Sequence, residues 1–329
     1  MSTQKFAKII STGSYVPEKV LTNTDLSKLV DTTDEWITTR TGIKERRIAT
    51  DEQSTSDLAT QAAKKALDSA NLDAAELDLI IVATITPNTF TPSTACYVQT
   101  NLGAKNAVAF DISAACSGFI FAMDMARNFI ENGTYEHVLI IGAEKLSTFV
   151  NWEDRNTCVL FGDGAGAAVI SATEDSSSRI LSSHVGSDGT YTDLLKIEGG
   201  GSACPITTSN VDDKLNTLSM QGKEIFKLAV HHMKNAANQV IEDASLTPAD
   251  IDWVIPHQAN LRIIDAISSR LDIDAEKVFV NLDKYGNTSA AAVAIALDEA
   301  HRKGVQREQH VVLVAFGAGL TWGAAAIRW

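Results

Sequence analysis

Leu77–Ile85 reads LDLIIVATI, and Ile251–Gln258 reads IDWVIPHQ. Each is a short apolar run rich in β-branched residues, the pattern of a buried strand. With the residues before them, AAELDLIIVAT around Asp78 resembles PADIDWVIPHQ around Asp252, an offset of 174. The same offset pairs Asp124 with Asp298, Ala122 with Ala296 and Ala126 with Ala300. One residue more pairs Gly142-Ala143 with Gly317-Ala318. These are common residue types, so a single match could be coincidence between two ordinary α/β units. One offset shared over a repeated strand–helix–strand order favours duplication instead.

Outward from these runs, HVLIIGAE (His137–Glu144), CVLFGDGAGAAVI (Cys158–Ile170) and HVVLVAFGAG (His310–Gly319) also read as buried strands. Alanine-rich amphipathic stretches lie between them: Ser56–Ala70, Gly118–Glu131, Gly222–Ala244, Asn260–Leu271 and Ser289–Lys303. Strands alternating with helices predict an α/β protein with largely parallel sheets. The polar, glycine-rich stretch from Gly186 to Asn216 has no period and reads as the connection between halves. The expected division is therefore 1–185, carrying a nucleophile, and 186–329.

The chain has 329 residues, 45% of them hydrophobic, enough for a large core. No apolar run approaches the ~20 residues of a membrane span, and the start lacks a signal-peptide pattern, so a cytoplasmic protein without a membrane partner is expected. A net charge of −13 argues against nucleic acid as partner, which would need a basic face. It leaves room for a local basic patch that meets an acidic protein. The four cysteines, Cys96, Cys116, Cys158 and Cys204, include no CxxC pair. Neither a zinc site nor a thioredoxin-like pair is indicated, and no metal is expected.

One cysteine has a suggestive setting. In AVAFDISAACSGFIFAMDMARNFI a strand-like run meets small residues, then Cys116, then Gly118 and an amphipathic helix. A thiol at a helix N-terminus gains from unpaired N–H groups and the helix dipole, which favour the thiolate. The same N–H groups could hold an oxyanion. A cysteine in a small-residue turn can equally be plain packing. Two segments shift the balance. His257 ends the run WVIPHQ, at the strand end where α/β sheets build sites, although a strand-end histidine can simply bond backbone. Asn287, in GNTSAA, precedes a small-residue helix start and could be no more than a turn residue. Under the repeat offset, however, it lies near the counterpart of Cys116.

The ordered set DISAACSGF, IPHQANLRI, GNTSAA and FGDGAGAAV resembles β-ketoacyl-acyl-carrier-protein synthase III, the initiating condensing enzyme of bacterial fatty-acid synthesis. TNTDLSKLVDTTDEWITTRTGIKERRI near the start and FGAGLTWGAAAIRW at the end resemble it too, so nearly the whole chain is covered. The resemblance implies the five-layered thiolase fold (α-β-α-β-α) of two duplicated halves, and a homodimer. It implies a catalytic Cys116, His257 and Asn287, with acyl-CoA and malonyl-acyl-carrier-protein as substrates and no cofactor. A second oxyanion donor falls on Gly317-Ala318-Gly319, where Ala318 replaces a common glycine and would be strained at positive φ. Trp36, Arg40 and Arg155 resemble CoA adenine and phosphate contacts. A Trp36–Arg40 pair is also an ordinary i, i+4 helix pair. Phe226, Ala259 and Asn260 resemble pantetheine-tunnel residues, and Phe316 a neighbour of the nucleophile. Lys227, Arg262 and Arg270 resemble the patch that docks the carrier protein, though each alone could be solvated surface charge. Thr91, before Pro92-Ser93, stands where short-primer members carry phenylalanine. A deeper acyl pocket and longer primers are expected from it. Two other readings share these motifs: a condensing enzyme of secondary metabolism (alkylquinolone or polyketide type), and a non-catalytic carrier-protein-binding scaffold. No GxSxG elbow supports a serine hydrolase.

Overall fold

The computed structural model describes residues 4–329. The first half contains strands β1 (Phe6–Tyr15), β2 (Val20–Thr22), β3 (Glu45–Arg47), β4 (Leu79–Ala83), β5 (Val108–Ile112), β6 (His137–Glu144) and β7 (Gly164–Thr173). Its helices are α1 (Asn23–Leu26), α2 (Asp34–Thr41), α3 (Thr55–Ala70), α4 (Thr94–Leu102) and α5 (Gly118–Glu131). The second half contains β8 (Arg179–Ser187), β9 (Leu195–Ile197), β10 (Leu218–Met220), β11 (Trp253–Pro256), β12 (His310–Gly317) and β13 (Thr321–Arg328). Its helices are α6 (Gly222–Asp243), α7 (Leu261–Leu271), α8 (Leu282–Tyr285) and α9 (Ala290–Lys303).

Two sheets repeat one order. The first runs β1-β7-β6-β4-β5, and the second β8-β13-β12-β11. The counterpart of β5 has shrunk to a single parallel bridge, Val254 with Val278. In both halves an aspartate before the inner strand performs the same task. Asp78 Oδ2 accepts from the N–H of Glu136 and His137 at 2.8 and 2.9 Å, and Asp252 Oδ2 accepts from His310 N at 2.8 Å. The second matched pair is also used alike. Asp124 on α5 accepts from Ser183 of β8 at 2.6 Å, and Asp298 on α9 accepts from Thr12 and Ser14 of β1 at 2.9 and 2.6 Å. Each half thus lends a central helix to the sheet of the other.

The sheets are mixed rather than largely parallel. β4 is parallel to β5 and β6, and β11 to β12, while β7 and β13 run antiparallel to their neighbours. The link from β12 to β13 is too short for the crossover a parallel pair requires. Because β8 pairs with β13, the chain passes into the second sheet before Arg179, ahead of a division at 185. In CVLFGDGAGAAVI only the part from Gly164 is strand, since residues 158–163 turn beneath the site.

The layers follow from where the apolar faces point. α5 and α9 lie between the sheets, where Phe119, Ile120, Val293 and Leu297 pack with Ile81 and Val138 on one side and Leu313 and Ala325 on the other. α3 and α4 cover the outer face of the first sheet, and α6 and α7 that of the second. This is the five-layered thiolase fold. Burying apolar side chains on both faces of each sheet is its main stabilising term. No helix among the described residues is long and apolar enough to cross a membrane.

Candidate active site

The two central helices begin at the same level, and their approach turns carry the chemistry. After β5 the chain makes one 3-10 turn, Ala115–Ser117, before α5 starts at Gly118. Cys116 sits in that turn. Ala115 has φ +46°, a left-handed conformation that costs a non-glycine residue energy and must be held by its surroundings. Gly317, at the end of β12, presses on the turn: a Cβ built there would stand 2.6 Å from Cys116 N.

The helix N-terminus led to the expectation of a lowered thiol pKa, and the surroundings reverse it. Burial pushes the Cys116 thiol up to about 12, opposed by the nearby Ser289 hydroxyl and reinforced by the charge of Glu144. A thiolate in a dry pocket loses more hydration than a helix terminus returns. The resting group is therefore a thiol and must shed its proton as it attacks.

His257 follows β11 and is fixed by its N–H donating to Val314 O at 2.8 Å. Its ring is buried, Nδ1 has no protein partner, and burial lowers its pKa to about 4. It is a neutral imidazole near pH 7, able to accept a proton or to donate its own N–H.

Asn287 is held by backbone on both sides. Its N–H donates to Leu160 O at 2.8 Å, and its carbonyl accepts from Gly162 N at 3.0 Å. The preceding Gly286 has φ +63°, and a Cβ there would meet Leu160 O at 2.6 Å, so only glycine fits. The Asn287 side-chain oxygen accepts from Ser289 N at 2.9 Å. That leaves the Nδ2 amide as the group free to donate to a ligand.

Cys116, His257 and Asn287 line one cavity of about 390 Å³, with Phe226, Ala259, Asn260, Phe316, Gly317 and Ala318. Ala318 is not strained as expected: the positive φ of this turn, +136°, falls on Gly319. Phe316 is backed by His232, whose ring stacks on it at 6.1 Å and on Trp322 at 4.0 Å. Most of the remaining wall is apolar, with Leu195, Ile197, Leu218 and Met220 contributed by the paired strands β9 and β10, alongside Lys196 and Ser289. The sequence offered no signal for this strand pair, because its short strands lie in and just after a polar stretch without periodicity.

The three residues matched to CoA contacts converge on the surface. Arg40 lies over the Trp36 ring at 4.4 Å and Arg155 at 5.1 Å. Arg155 is steadied by donating to Asp31 O at 2.8 Å. The end of α2 is tied to the start of α7 and hence to the cavity: Asn260 donates to Arg40 O at 3.1 Å and Arg262 to Thr39 O at 3.3 Å. Lys227 and Arg270 border a surface groove that also holds His231 and Lys234 and shares Phe226 with the cavity. Arg262 lies outside that groove.

Thr91 does not line the cavity. It is exposed, and Phe90 beside it is 88% exposed. A smaller side chain at 91 therefore cannot deepen the pocket of its own chain. Sequence reading also passed over Glu144 and Ser289, a buried carboxyl and a buried hydroxyl close to the thiol. Glu144 ends a strand and Ser289 reads as a helix cap, so neither has a local signature.

Residues 110–189 match the family model described as 3-oxoacyl-[acyl-carrier-protein] synthase III, and residues 241–329 match that of its C-terminal region. A β-ketoacyl-[acyl-carrier-protein] synthase III of Caldanaerobacter subterraneus subsp. tengcongensis is 60% identical, with 98% of each chain covered. One from Clostridioides difficile is 52% identical over the same shares. The crystal structure of 3-oxoacyl-[acyl-carrier-protein] synthase III from Aquifex aeolicus superposes with a TM-score of 0.92 at 54% identity, covering 98% of this chain and all of that one.

Proposed function

The chain belongs to the 3-oxoacyl-[acyl-carrier-protein] synthase III family, and on that premise we propose how its site divides the work. The protein is a condensing acyltransferase that initiates fatty-acid synthesis, joining an acyl-CoA to malonyl-acyl-carrier-protein. Cys116 is the nucleophile. As its sulfur attacks the acyl-CoA carbonyl, the S–H proton passes to the neutral His257, which hands it to the CoA sulfur as the carbon–sulfur bond breaks, so that CoA leaves as the thiol and His257 is neutral again. The N–H groups of Cys116 and Ala318 support the developing oxyanion.

In the second half-reaction malonyl-acyl-carrier-protein enters the same cavity. His257 and the Nδ2 amide of Asn287 donate to its thioester carbonyl. Carbon dioxide leaves, and the resulting enolate attacks the acyl-cysteine, expelling the Cys116 sulfur as a thiolate that takes a proton from solvent to restore the resting thiol. Two neutral donors suit this step, because they stabilise charge that appears only in the transition state. Decarboxylation itself supplies the carbanion, so the reaction as written calls for no metal or organic cofactor.

Trp36, Arg40 and Arg155 take the adenine and phosphates of CoA, while Phe226, Ala259 and Asn260 line the pantetheine path. Lys227, Arg262 and Arg270 face the acidic carrier protein, giving a local basic surface on a chain of net charge −13. A homodimer is supported by the unpaired edge of β5, with Val108 exposed, and by the exposed Phe90 nearby in the chain. We place the enzyme in the cytoplasm, with its substrates.

The observation that carries the proposal is that Cys116, His257 and Asn287, each from a different turn, meet in one cavity. The test is intact-protein mass spectrometry with a panel of acyl-CoAs, followed by malonyl-acyl-carrier-protein. We expect a mass gain, absent in Cys116→Ala, that the malonyl partner discharges. Acylation that only malonyl-CoA discharges would move the chain toward secondary metabolism. No acylation by any primer would leave a carrier-protein-binding scaffold.

A further inference from the structure

Arg46 is 0% exposed in the middle of β3, and the reaction above does not use it. Glu45 and Arg47, on the other face of the strand, pair with each other at 3.1 Å. Arg46 Nη1 donates to Leu21 O at 3.0 Å and to Asn23 Oδ1 at 2.9 Å, and Nη2 donates to Val159 O at 2.8 Å. All three acceptors are neutral. Burial lowers the guanidinium to about 10, so it stays charged near pH 7. A cation held in the interior by neutral oxygens is a costly arrangement, and an apolar side chain would fill the space at less cost.

The guanidinium joins two segments. On one side it grips the start of α1. Asn23 is oriented for it, because its Nδ2 donates to Asp34 Oδ1 and Ile43 O, each at 2.8 Å, which leaves the amide oxygen facing Arg46. On the other side it grips the 158–163 turn. Val159 precedes Leu160, whose carbonyl accepts the N–H of Asn287, and Gly162 N donates to the Asn287 carbonyl. Asp163 N closes the turn by donating to Arg47 O at 2.8 Å. The Arg46 stem lies against both backbones of this contact. A Cβ on Gly162 would stand 3.0 Å from Arg46 Cβ, and one on Gly286 would stand 3.4 Å from it. Asn287 thus hangs by its backbone from a turn whose own backbone Arg46 pins. The other two reacting side chains are held without it. His257 N donates to Val314 O, and the Cys116 turn rests against Gly317.

We propose that Arg46 is a positioning residue for the condensation step: its guanidinium fixes the 158–163 turn and so aims the Nδ2 amide of Asn287 at the malonyl thioester. The inference rests on the role given to Asn287 in the second half-reaction. It predicts a split, because Cys116 is loaded without Asn287 and discharged with it.

The experiment follows the two half-reactions separately by intact-protein mass, first loading by acetyl-CoA or hexanoyl-CoA and then discharge by malonyl-acyl-carrier-protein. Wild type, Arg46→Lys and Asn287→Ala are compared. Lysine keeps the charge and the stem, but one ammonium cannot span oxygens on both sides. Arg46→Lys should discharge about 10- to 100-fold more slowly, the order expected when a reacting group is misplaced by about an ångström, and load within about threefold of wild type. A role in stability alone would lower the amount of active protein and leave both rate constants unchanged. Discharge by Arg46→Lys within about threefold of wild type overturns the proposal, and so does equal slowing of loading and discharge. If Arg46→Lys does not fold, Gly162→Ala presses the same turn against Arg46 and Tyr285 and carries the same expectation, and unslowed discharge there overturns the proposal. Asn287→Ala separates the two readings. If it discharges at the wild-type rate, the role given to Asn287 falls and the proposal with it. If it fails to discharge while Arg46→Lys succeeds, the role of Asn287 stands and only the proposal for Arg46 falls.

Discussion

Gly317 and Cys116 are in backbone contact: a Cβ on Gly317 would stand 2.6 Å from Cys116 N and 3.2 Å from Cys116 Cβ. Backbone cannot yield to a methyl group as a flexible side chain can, so the nucleophile's turn would have to move. Gly317→Ala should lower the acylation rate at least about 100-fold, the order expected when an oxyanion donor is displaced. Thermal melting and a stopped acyl-transfer assay would separate this from unfolding. Acylation within a factor of two of wild type would show that the contact is not needed.

Two of the buried titratable groups, His257 and Glu144, pull stability in opposite directions. His257 falls from its usual 6.5 to about 4 on folding. Its contribution is present above 6.5 and lost as pH falls toward 4, because the unfolded chain takes up the proton first. Glu144 rises from 4.5 to about 7, so its contribution is present below 4.5 and lost as pH rises toward 7. Denaturant melts of His257→Gln should therefore show wild type gaining on the variant by about 2–3 kcal/mol between pH 4 and 6.5. Glu144→Gln should gain on wild type by a similar order, about 2–3 kcal/mol, between pH 4.5 and 7. Difference curves flat across these windows would refute the assigned burial effects.

Trp36 is clasped by Arg40 at 4.4 Å and Arg155 at 5.1 Å on the outer surface. Trp36→Ala should raise KM for acyl-CoA about tenfold and leave kcat nearly unchanged, as loss of uniform binding does. An acyl-pantetheine lacking the nucleotide should be used equally by both forms. A penalty on that truncated substrate would remove Trp36 from the nucleotide site.

Leu218 and Met220 form part of the apolar cavity wall. Leu218→Trp fills space there and should shorten the accepted primer, cutting acylation by hexanoyl-CoA more than tenfold relative to acetyl-CoA. A competition assay with mixed acyl-CoAs, read by intact mass, measures this ratio. Equal loss of both primers in Leu218→Trp would mean that β9 and β10 do not border the acyl group.

Sequence periodicity alone determined the duplicated α/β plan. α5 and α9 match the stretches read from the chain to within a residue, and Asp78, Asp252, Asp124 and Asp298 occupy equivalent places because the offset of 174 reflects two copies of one unit. Motifs placed Cys116, His257 and Asn287, since each closes a strand or opens a helix in a short local pattern. Tertiary structure decided what local pattern cannot encode. The thiol at a helix start is raised rather than lowered, because the helix terminus is local and the dry pocket is assembled from both halves. The acyl wall comes from two short strands in and just after a polar stretch. Glu144, Ser289 and Cys116 stand 145 and 28 positions apart along the chain, measured from Glu144, and only packing α9 and α5 between two sheets makes them neighbours.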